Sequence, residues 1–208
     1  RASSYLLTTL VAPVGYGKTT AVLHWIEEKD PRVAWLSLDG EDNDVGIFWQ
    51  YVSVALDALS PGLSQRTAYA LSSHELTAAG VHLRIILDRL SEMEDECFLI
   101  LDNLSVIFNP AIFSDLTYLL KFSPSRMHFI LIGRRDPDLN LAQLELSGEL
   151  QKITAADLRF KEEEIARYFE TRLLFLDDDM IREVASYTDG WAAALAAVAL
   201  SFGEREGR

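Results

Sequence analysis

Runs of mostly apolar residues recur along the chain, and segments with helical spacing of apolar positions separate them. These runs are continuous rather than alternating, which is typical of parallel strands that helices cover on both faces. The predicted strands are residues 5–11, 32–38, 97–101, 128–133 and a shorter one at 150–154. The pattern therefore predicts an α/β domain with a five-stranded, mainly parallel sheet between helices.

Apolar residues at helical spacing predict helices at 18–28, at 48–59 before the Pro61-Gly62 turn, near 83–90 and at about 110–122. Between residues 64 and 73 the pattern weakens, and we expect a loop or a short helical turn there. After about Phe160 the strand pattern stops and three helical stripes follow. We therefore divide the chain into an α/β domain, residues 1–158, and a small helical subdomain, residues 159–208.

Composition narrows the range of partners. The chain of 208 residues has 32 acidic and 19 basic residues and a net charge of −13, so it should repel a nucleic-acid backbone.

The only cysteine, Cys97, opens an apolar run and is expected to be a buried thiol in a reducing, cytoplasmic setting. The apolar tract at 191–202 is too short to span a bilayer and predicts a buried helix, so no membrane partner is expected. No signal pattern and no initiator Met open the chain, which suggests an excerpt from a longer protein.

A glycine-rich segment between the first strand and the first helix carries the clearest chemistry. Residues 12–19, Ala-Pro-Val-Gly-Tyr-Gly-Lys-Thr, fit the spacing of a Walker A phosphate loop, although Ala12 stands where the first glycine is usual. Glycines let backbone N–H groups approach phosphate oxygens, and the following helix directs its positive end at the same anion. Lys18 supplies a cation for the β- and γ-phosphates of ATP or ADP, and Thr19 a hydroxyl for Mg²⁺. The residues expected to bind nucleotide are Val14, Gly15, Tyr16, Gly17, Lys18, Thr19 and Thr20.

The ends of two later strands supply the candidates for metal binding and catalysis. Asp102 follows a buried strand and is expected to hold Mg²⁺ together with Thr19, the alternative being a simple turn cap. Asn103 stands where hydrolysing relatives of this class often carry a second acid, so turnover is expected to be slow or absent. Arg134 is placed to sense a γ-phosphate. The alternative is that Arg134 or Arg135 pairs with Asp136 or another surface acid.

Other polar and aromatic residues received simpler interpretations. Tyr16 either shields the phosphates or packs outward. The aromatic residues Trp35, Phe48, Trp49 and Tyr51 are expected to pack in the protein rather than to stack on a base, since their spacing is that of strand and helix positions. Trp49 is the most plausible exception, because Phe48 and Tyr51 already supply core positions of the helix. The four histidines have no partner at the spacing of a zinc site; they are His24, His74, His82 and His128. The acidic runs at 162–164 and 177–179 are expected to cap helix N-termini.

Several blocks resemble the MalT-type large LuxR-family transcriptional regulators. They lie at residues 12–20, 35–39, 42–44, 48–51, 133–137, 155–160 and 188–191, and together they span most of the chain. The resemblance implies a P-loop NTPase of the STAND class, with the three C-terminal helices forming a lid over the nucleotide. Such proteins rest with ADP, exchange it for ATP when a small-molecule or protein inducer binds outside this segment, and then self-associate. DNA binding in the family belongs to a helix-turn-helix domain that these residues do not include.

This chain departs from the family at Asn103, and at Ala192 and Ala193, where the family usually has a proline after Gly190-Trp191. The expected function is an ATP/ADP-binding regulatory switch, with weak ATPase activity left open. One alternative is a degenerate P-loop interaction module that binds nucleotide poorly. The other is a small-molecule phosphotransferase, although no cationic or catalytic cluster for an acceptor is evident.

Overall fold

The structure, a computed structural model, describes residues 5–72 and 80–206. Its centre is one five-stranded sheet in the order β2-β3-β4-β1-β5, and every pairing in it is parallel. The strands are β1 (Leu7–Val11), β2 (Arg32–Ser37), β3 (Cys97–Asp102), β4 (Met127–Gly133) and β5 (Leu150–Thr154). The predicted α/β architecture is confirmed, and β1 lies inside the sheet between β4 and β5.

Helices connect these strands and continue beyond the last one. They are α1 (Lys18–Lys29), α2 (Val45–Leu56), α3 (Leu63–Ser72), α4 (Val81–Ser91), α5 (Pro110–Phe122), α6 (Ala142–Leu146), α7 (Ala155–Leu158), α8 (Glu162–Glu170), α9 (Asp178–Thr188) and α10 (Ala192–Glu206). Short 3₁₀ turns cover Gly40–Asn43 and Leu104–Val106. No helix in the described ranges is long and apolar enough to cross a membrane.

The expectation of a loop or a short helical turn between residues 64 and 73 is wrong, because α3, a helix of 10 residues, occupies most of that stretch. Its buried positions are Leu63, Thr67 and Ala70, which follow helical spacing, but only the leucine is a large apolar residue. A threonine and an alanine therefore carry the buried face, and a search for large apolar residues misses it. Ser73 and His74 lie outside the described residues.

Each face of the sheet has its own core. The larger core includes Leu7, Leu99 and Phe129 under α2 to α5, and the smaller one gathers Leu10 and Ile100 under α1. Helices pack on both faces of the sheet because its strands carry apolar side chains on both sides.

Two of the three aromatic residues of α2, Phe48 and Trp49, pack in the core as expected, and Tyr51 does not. Trp49 is fully buried, and its indole Nε1 donates to the Asp115 carboxylate at 2.9 Å, so stacking on a base is excluded. Tyr51, expected in the core, has 48% of its surface exposed. Asp115 lies on α5, which is distant from α2 in sequence.

The last three helices pack on one another around a separate apolar cluster. Ile165 and Phe169 of α8 meet Val184 of α9 and Leu195 and Ala199 of α10. The tract at 191–202 is thus a half-buried helix rather than a fully buried one, since neighbouring side chains on α10 face solvent. The acidic runs lie in the first turns of α8 and α9, as expected. The division of the chain after residue 158 stays a prediction.

Candidate nucleotide-binding site

The phosphate loop joins β1 to α1 at the carboxyl end of the sheet. Gly15 and Gly17 have φ values of 82° and 74°, a left-handed conformation that glycine adopts without the steric cost of a Cβ. Gly17 is the N-cap of α1, and Lys18 and Thr19 begin the helix. The helix N-terminus therefore opens at the loop, as anion binding requires. We call the side that carries Lys18 and Thr19 the inner face of the loop.

Lys18 folds back over its own loop. Its Nζ donates to the carbonyl oxygens of Ala12 at 2.7 Å and Pro13 at 2.9 Å. Burial, and secondarily the positive charge of Arg134, lower the pKa of Lys18, while Asp102 acts in the opposite direction. An anion bound here would counteract this lowering, since it favours the charged ammonium. The environment of Lys18 fits a phosphate group.

Thr19 and Asp102 meet across the inner face. The Thr19 hydroxyl donates to Asp102 Oδ2 at 3.0 Å, although the two residues come from α1 and β3. A hydroxyl and a carboxylate are hard oxygen ligands of the kind that hold Mg²⁺ beside nucleotide phosphates, with water completing the shell. Within the described ranges no cluster of three or more His, Cys, Asp or Glu residues forms an independent metal site. The donor set fits a metal that is shared with a phosphate.

A cleft of about 370 Å³ lies along the inner face. It is lined by Val14, Gly15, Gly17, Lys18, Thr19, Thr20, Asp102, Asn103, Ile132, Gly133 and Arg134. The structure thus brings together all the sequence-predicted site residues except Tyr16, which is half-buried beside the loop. A volume in this range suits a small ligand.

Asn103 and Arg134 reach the cleft in different ways. Asn103 adopts a left-handed backbone with φ of 63°, and its Nδ2 donates to the Leu38 carbonyl at 3.0 Å. This bond holds the side-chain amide toward the end of β2. Arg134 is exposed, and neither it nor Arg135 forms an ion pair within the described part of the chain. The alternative that either arginine pairs with Asp136 finds no support.

Two polar residues that sequence reasoning missed join the segments that follow the strands near the cleft. Ser105 Oγ accepts the backbone N–H of Arg134, and a Cβ on Gly133 would come within 2.9 Å of that oxygen. Asn43 Nδ2 donates to the Val106 carbonyl at 2.7 Å, and its Oδ1 accepts from the Phe108 N–H at 2.8 Å. These bonds tie the segments after β2, β3 and β4 together. The only sequence signal for Asn43 was the block at 42–44, which the resemblance to the MalT-type regulators pointed out without giving it a role. Ser105 had no such signal.

The C-terminal helices contact the phosphate loop through residues that do not line the cleft, and we call the side of the loop that they contact the outer face. Trp191 Nε1 donates to the Val14 carbonyl at 3.1 Å, and the Ala193 N–H donates to the Gly15 carbonyl at 3.0 Å. The Tyr16 and Trp191 ring centroids are 6.5 Å apart. Tyr16 therefore packs beside the α9–α10 turn, which agrees with the outward-packing interpretation.

Comparison with known proteins adds the family context. No protein-family model matches the chain. The MalT regulator of Vibrio campbellii, an HTH-type transcriptional regulator, is 28% identical over 201 residues, which covers 96% of this chain. The sequence is MalT-like over almost its whole length. The MalT regulator of Yersinia enterocolitica is also 28% identical, over 200 residues and 96% of the chain. The MalT-like chain spans about a fifth of these relatives, 22% of the length of each.

A solved structure supports the fold independently. The replication initiator DnaA, bound to AMPPCP and single-stranded DNA, superimposes with a TM-score of 0.53 at 12% sequence identity. The match covers 98% of the MalT-like chain and 57% of DnaA. At this identity the likeness concerns the fold alone. The chain therefore has a P-loop α/β fold followed by helices.

Proposed function

We propose that this chain is the ATP/ADP-binding regulatory switch of a MalT-like transcriptional regulator. The observation that carries the proposal is the convergence of Lys18, Thr19 and Asp102 on one cleft beside the glycine loop. The MalT-like sequence and the P-loop fold support a nucleotide-binding regulatory domain. DnaA carries the ATP analogue AMPPCP on the same fold.

Each inner-face group has a distinct role in this proposal. Backbone N–H groups of residues 14–20 and the N-terminus of α1 bind the phosphates, and Lys18 exchanges its loop carbonyls for phosphate oxygens. Thr19 and Asp102 hold Mg²⁺, which supplies positive charge for the β- and γ-phosphates when bound. Arg134, exposed at the cleft and free of an ion pair among the described residues, distinguishes ATP from ADP by a bidentate contact.

Slow hydrolysis is the second part of the proposal. Asn103 lacks the carboxylate that accepts a proton from water, and its amide nitrogen is engaged with the Leu38 carbonyl. Loss of general-base help typically costs about 10²–10⁴-fold in rate. The bound nucleotide then acts as a regulatory signal, and its hydrolysis does not drive a reaction cycle. In the longer regulator, exchange of ADP for ATP on inducer binding controls self-association, and DNA is contacted by a helix-turn-helix region.

Thermal unfolding with and without nucleotide tests the proposal. At 100 times Kd, Mg-ADP or Mg-ATP should stabilise the native chain by about 2.7 kcal/mol. For a chain of this size that raises Tm by roughly 5–11 °C. At the same ligand concentration the shift should fall by about half or more in Lys18→Ala. Absence of a shift with either nucleotide would overturn the proposal.

A degenerate interaction module is the second candidate. The observation that favours it is the self-contained phosphate loop, in which Lys18 already donates to two carbonyls. The same titration separates the candidates, because tight binding of either nucleotide excludes the module. ATP consumption that depends on an added acceptor would instead indicate a phosphotransferase.

A further inference from the structure

The outer face of the phosphate loop is held by two hydrogen bonds whose acceptors are consecutive carbonyls. Trp191 Nε1 engages the Val14 carbonyl, and the Ala193 N–H engages the Gly15 carbonyl. Both donors belong to the α9–α10 turn and the start of α10. One short segment therefore fixes two successive peptide groups of the loop.

Fixing these carbonyls also fixes the direction of two N–H groups. In a trans peptide the carbonyl and the following N–H point to opposite sides, and the described residues contain no cis peptide. When the Val14 and Gly15 carbonyls point to the outer face, the N–H groups of Gly15 and Tyr16 point away from it. Gly15 and Tyr16 lie in the loop between β1 and α1, and neither N–H donates to a backbone carbonyl within the described ranges. Free N–H groups directed in this way are what an anion-binding loop requires.

The contact at Gly15 is too close for any side chain. A Cβ built there would lie 2.6 Å from the Ala193 Cβ and 2.7 Å from the indole nitrogen of Trp191. A Cβ built on Gly17 would meet only the Ala192 Cβ, at 3.9 Å. The first of these two glycines therefore also makes room for the α9–α10 turn.

The α9–α10 turn also packs against the segment that follows α7. Gly190 is buried, and its carbonyl accepts the Phe160 N–H at 3.0 Å. A Cβ on Gly190 would lie 2.5 Å from the Phe160 carbonyl oxygen. Arg159 adds an ion pair with Asp189 at 2.7 Å. The turn is thus packed between the segment after α7 and the phosphate loop. These contacts hold the backbone of Trp191 in place.

We propose that Trp191 and the backbone N–H of Ala193 are positioning groups for phosphate binding. They hold the Gly15 and Tyr16 N–H groups in the direction that an anion needs, so the α9–α10 turn sets the phosphate affinity of the loop. This inference rests on the proposed nucleotide function and names two groups that act through the loop without touching the ligand. It also makes the C-terminal helices part of the phosphate site.

Titration calorimetry with Mg-ADP and with pyrophosphate tests this role. Trp191→Phe keeps an aromatic ring and removes the donor, and Ala193→Pro removes the other N–H in the first turn of α10, where proline is tolerated. Loss of one neutral hydrogen bond should weaken binding by about two- to tenfold in Trp191→Phe. In Ala193→Pro the ring Cδ also replaces the hydrogen that faces the Gly15 carbonyl at 3.0 Å, so the loss there should be at least as large. The loss should be equal for ADP and pyrophosphate, because the effect falls on the phosphates alone.

Ala192→Pro is the matched control. Ala192 is the first residue of α10, where proline is favoured, and its N–H donates to no loop carbonyl. Its affinities should stay within about twofold of the unsubstituted chain, a change too small to count as a lost hydrogen bond. Far-UV circular dichroism confirms that each variant is folded, and Trp191→Phe alone decides the question if Ala193→Pro does not fold.

The outcomes separate the two proposals. If the unsubstituted chain binds neither ADP nor pyrophosphate, the nucleotide function falls and this inference falls with it. If it binds both and Trp191→Phe binds equally well, only the positioning role is overturned. Weakening by Ala192→Pro as large as that by Ala193→Pro would also overturn it, because general disturbance of the helix would then explain the result.

Discussion

The inner and outer faces of the phosphate loop present different chemical groups. The inner face presents Lys18, Thr19 and Asp102, which are charged or polar groups at a cleft. The outer face presents backbone carbonyls to Trp191 and Ala193. A ligand is expected on one side, and the protein itself occupies the other.

This difference separates recognition from support. Substitutions on the inner face should change ligand affinity strongly and leave the fold intact. Those on the outer face should change the stability of the loop and of the helices behind it, and should change affinity less, because they act on the ligand only through the loop. Gly15 and Gly17 offer the sharpest contrast, because both need a left-handed backbone and only Gly15 is packed against another segment.

The largest expected effect is therefore on stability, in Gly15→Ala. Both Gly15→Ala and Gly17→Ala strain a left-handed backbone, at about 1–2 kcal/mol each. Only the first drives a Cβ into Ala193 and Trp191, which adds roughly 1–3 kcal/mol of overpacking. Urea unfolding should place Gly15→Ala below Gly17→Ala by that difference.

A second substitution sharpens this test. Ala193→Gly in the Gly15→Ala background removes the nearest colliding atom and should recover part of the lost unfolding free energy. Equal stability of the two single alanine variants would show that the outer contact is loose, contrary to the comparison.

Lys18→Ala probes the inner face alone. A hydrogen bond to a charged group contributes about 1.5–3 kcal/mol, so nucleotide affinity should fall by roughly 10- to 150-fold. The unfolding free energy should change by less than about 1 kcal/mol, because the side chain lies at the surface of the cleft. Calorimetric titration and urea unfolding measure the two quantities, and retained affinity would remove Lys18 from the site.

Asp102→Asn isolates the metal. It keeps the size of the side chain that accepts from Thr19 and removes its charge. The apparent Mg²⁺ affinity of the nucleotide complex should fall by about 10–100-fold. Titrations of ADP with Mg²⁺ and with EDTA measure this, and only the Mg²⁺ titration should change. Full Mg²⁺ dependence in Asp102→Asn would indicate that Asp102 merely caps its turn.

The smallest expected effect is a pH dependence. Burial and Arg134 lower the pKa of Lys18 from its ordinary value of 10.5, so near that value the unfolded chain holds a proton that the folded chain has released. Between the lowered pKa and about 10.5, the unfolding free energy of the unsubstituted chain should rise with pH relative to Lys18→Ala. Urea unfolding of both proteins measures this. A relative fall with pH would reverse the assigned electrostatics.

Local sequence was sufficient for the sheet and for the inner face. Continuous apolar runs located all five strands, although β1 begins at Leu7 rather than at Tyr5. The phosphate loop could also be predicted, because the residues that define it are adjacent in sequence and lie between a strand and a helix. Asp102 and Arg134 followed from their places at strand ends, since parallel strands bring those ends to one edge.

Contacts between distant segments could not be predicted. Trp49 is buried in the larger core, and its indole N–H is satisfied there by Asp115, 66 residues away. Asn43 ties two loops through partners more than 60 residues away. The contact of Trp191 with Val14 joins residues 177 positions apart, and its acceptor is a backbone carbonyl that carries no residue signature. Helix α3 was missed because Thr67 and Ala70 form much of its buried face.

The position of β1 beside β5 has a consequence for the order of folding. Val11 and Thr154 are in register at the ends of these two strands. Once the strands pair, the route from Val14 to Trp191 shortens from 177 residues to about 40, and closing that loop costs about 1 kcal/mol less entropy. We therefore expect the outer-face contact to form after this pairing, on the late, downhill side of the folding barrier. Removing the Trp191 donor should accelerate unfolding and leave the refolding rate nearly unchanged.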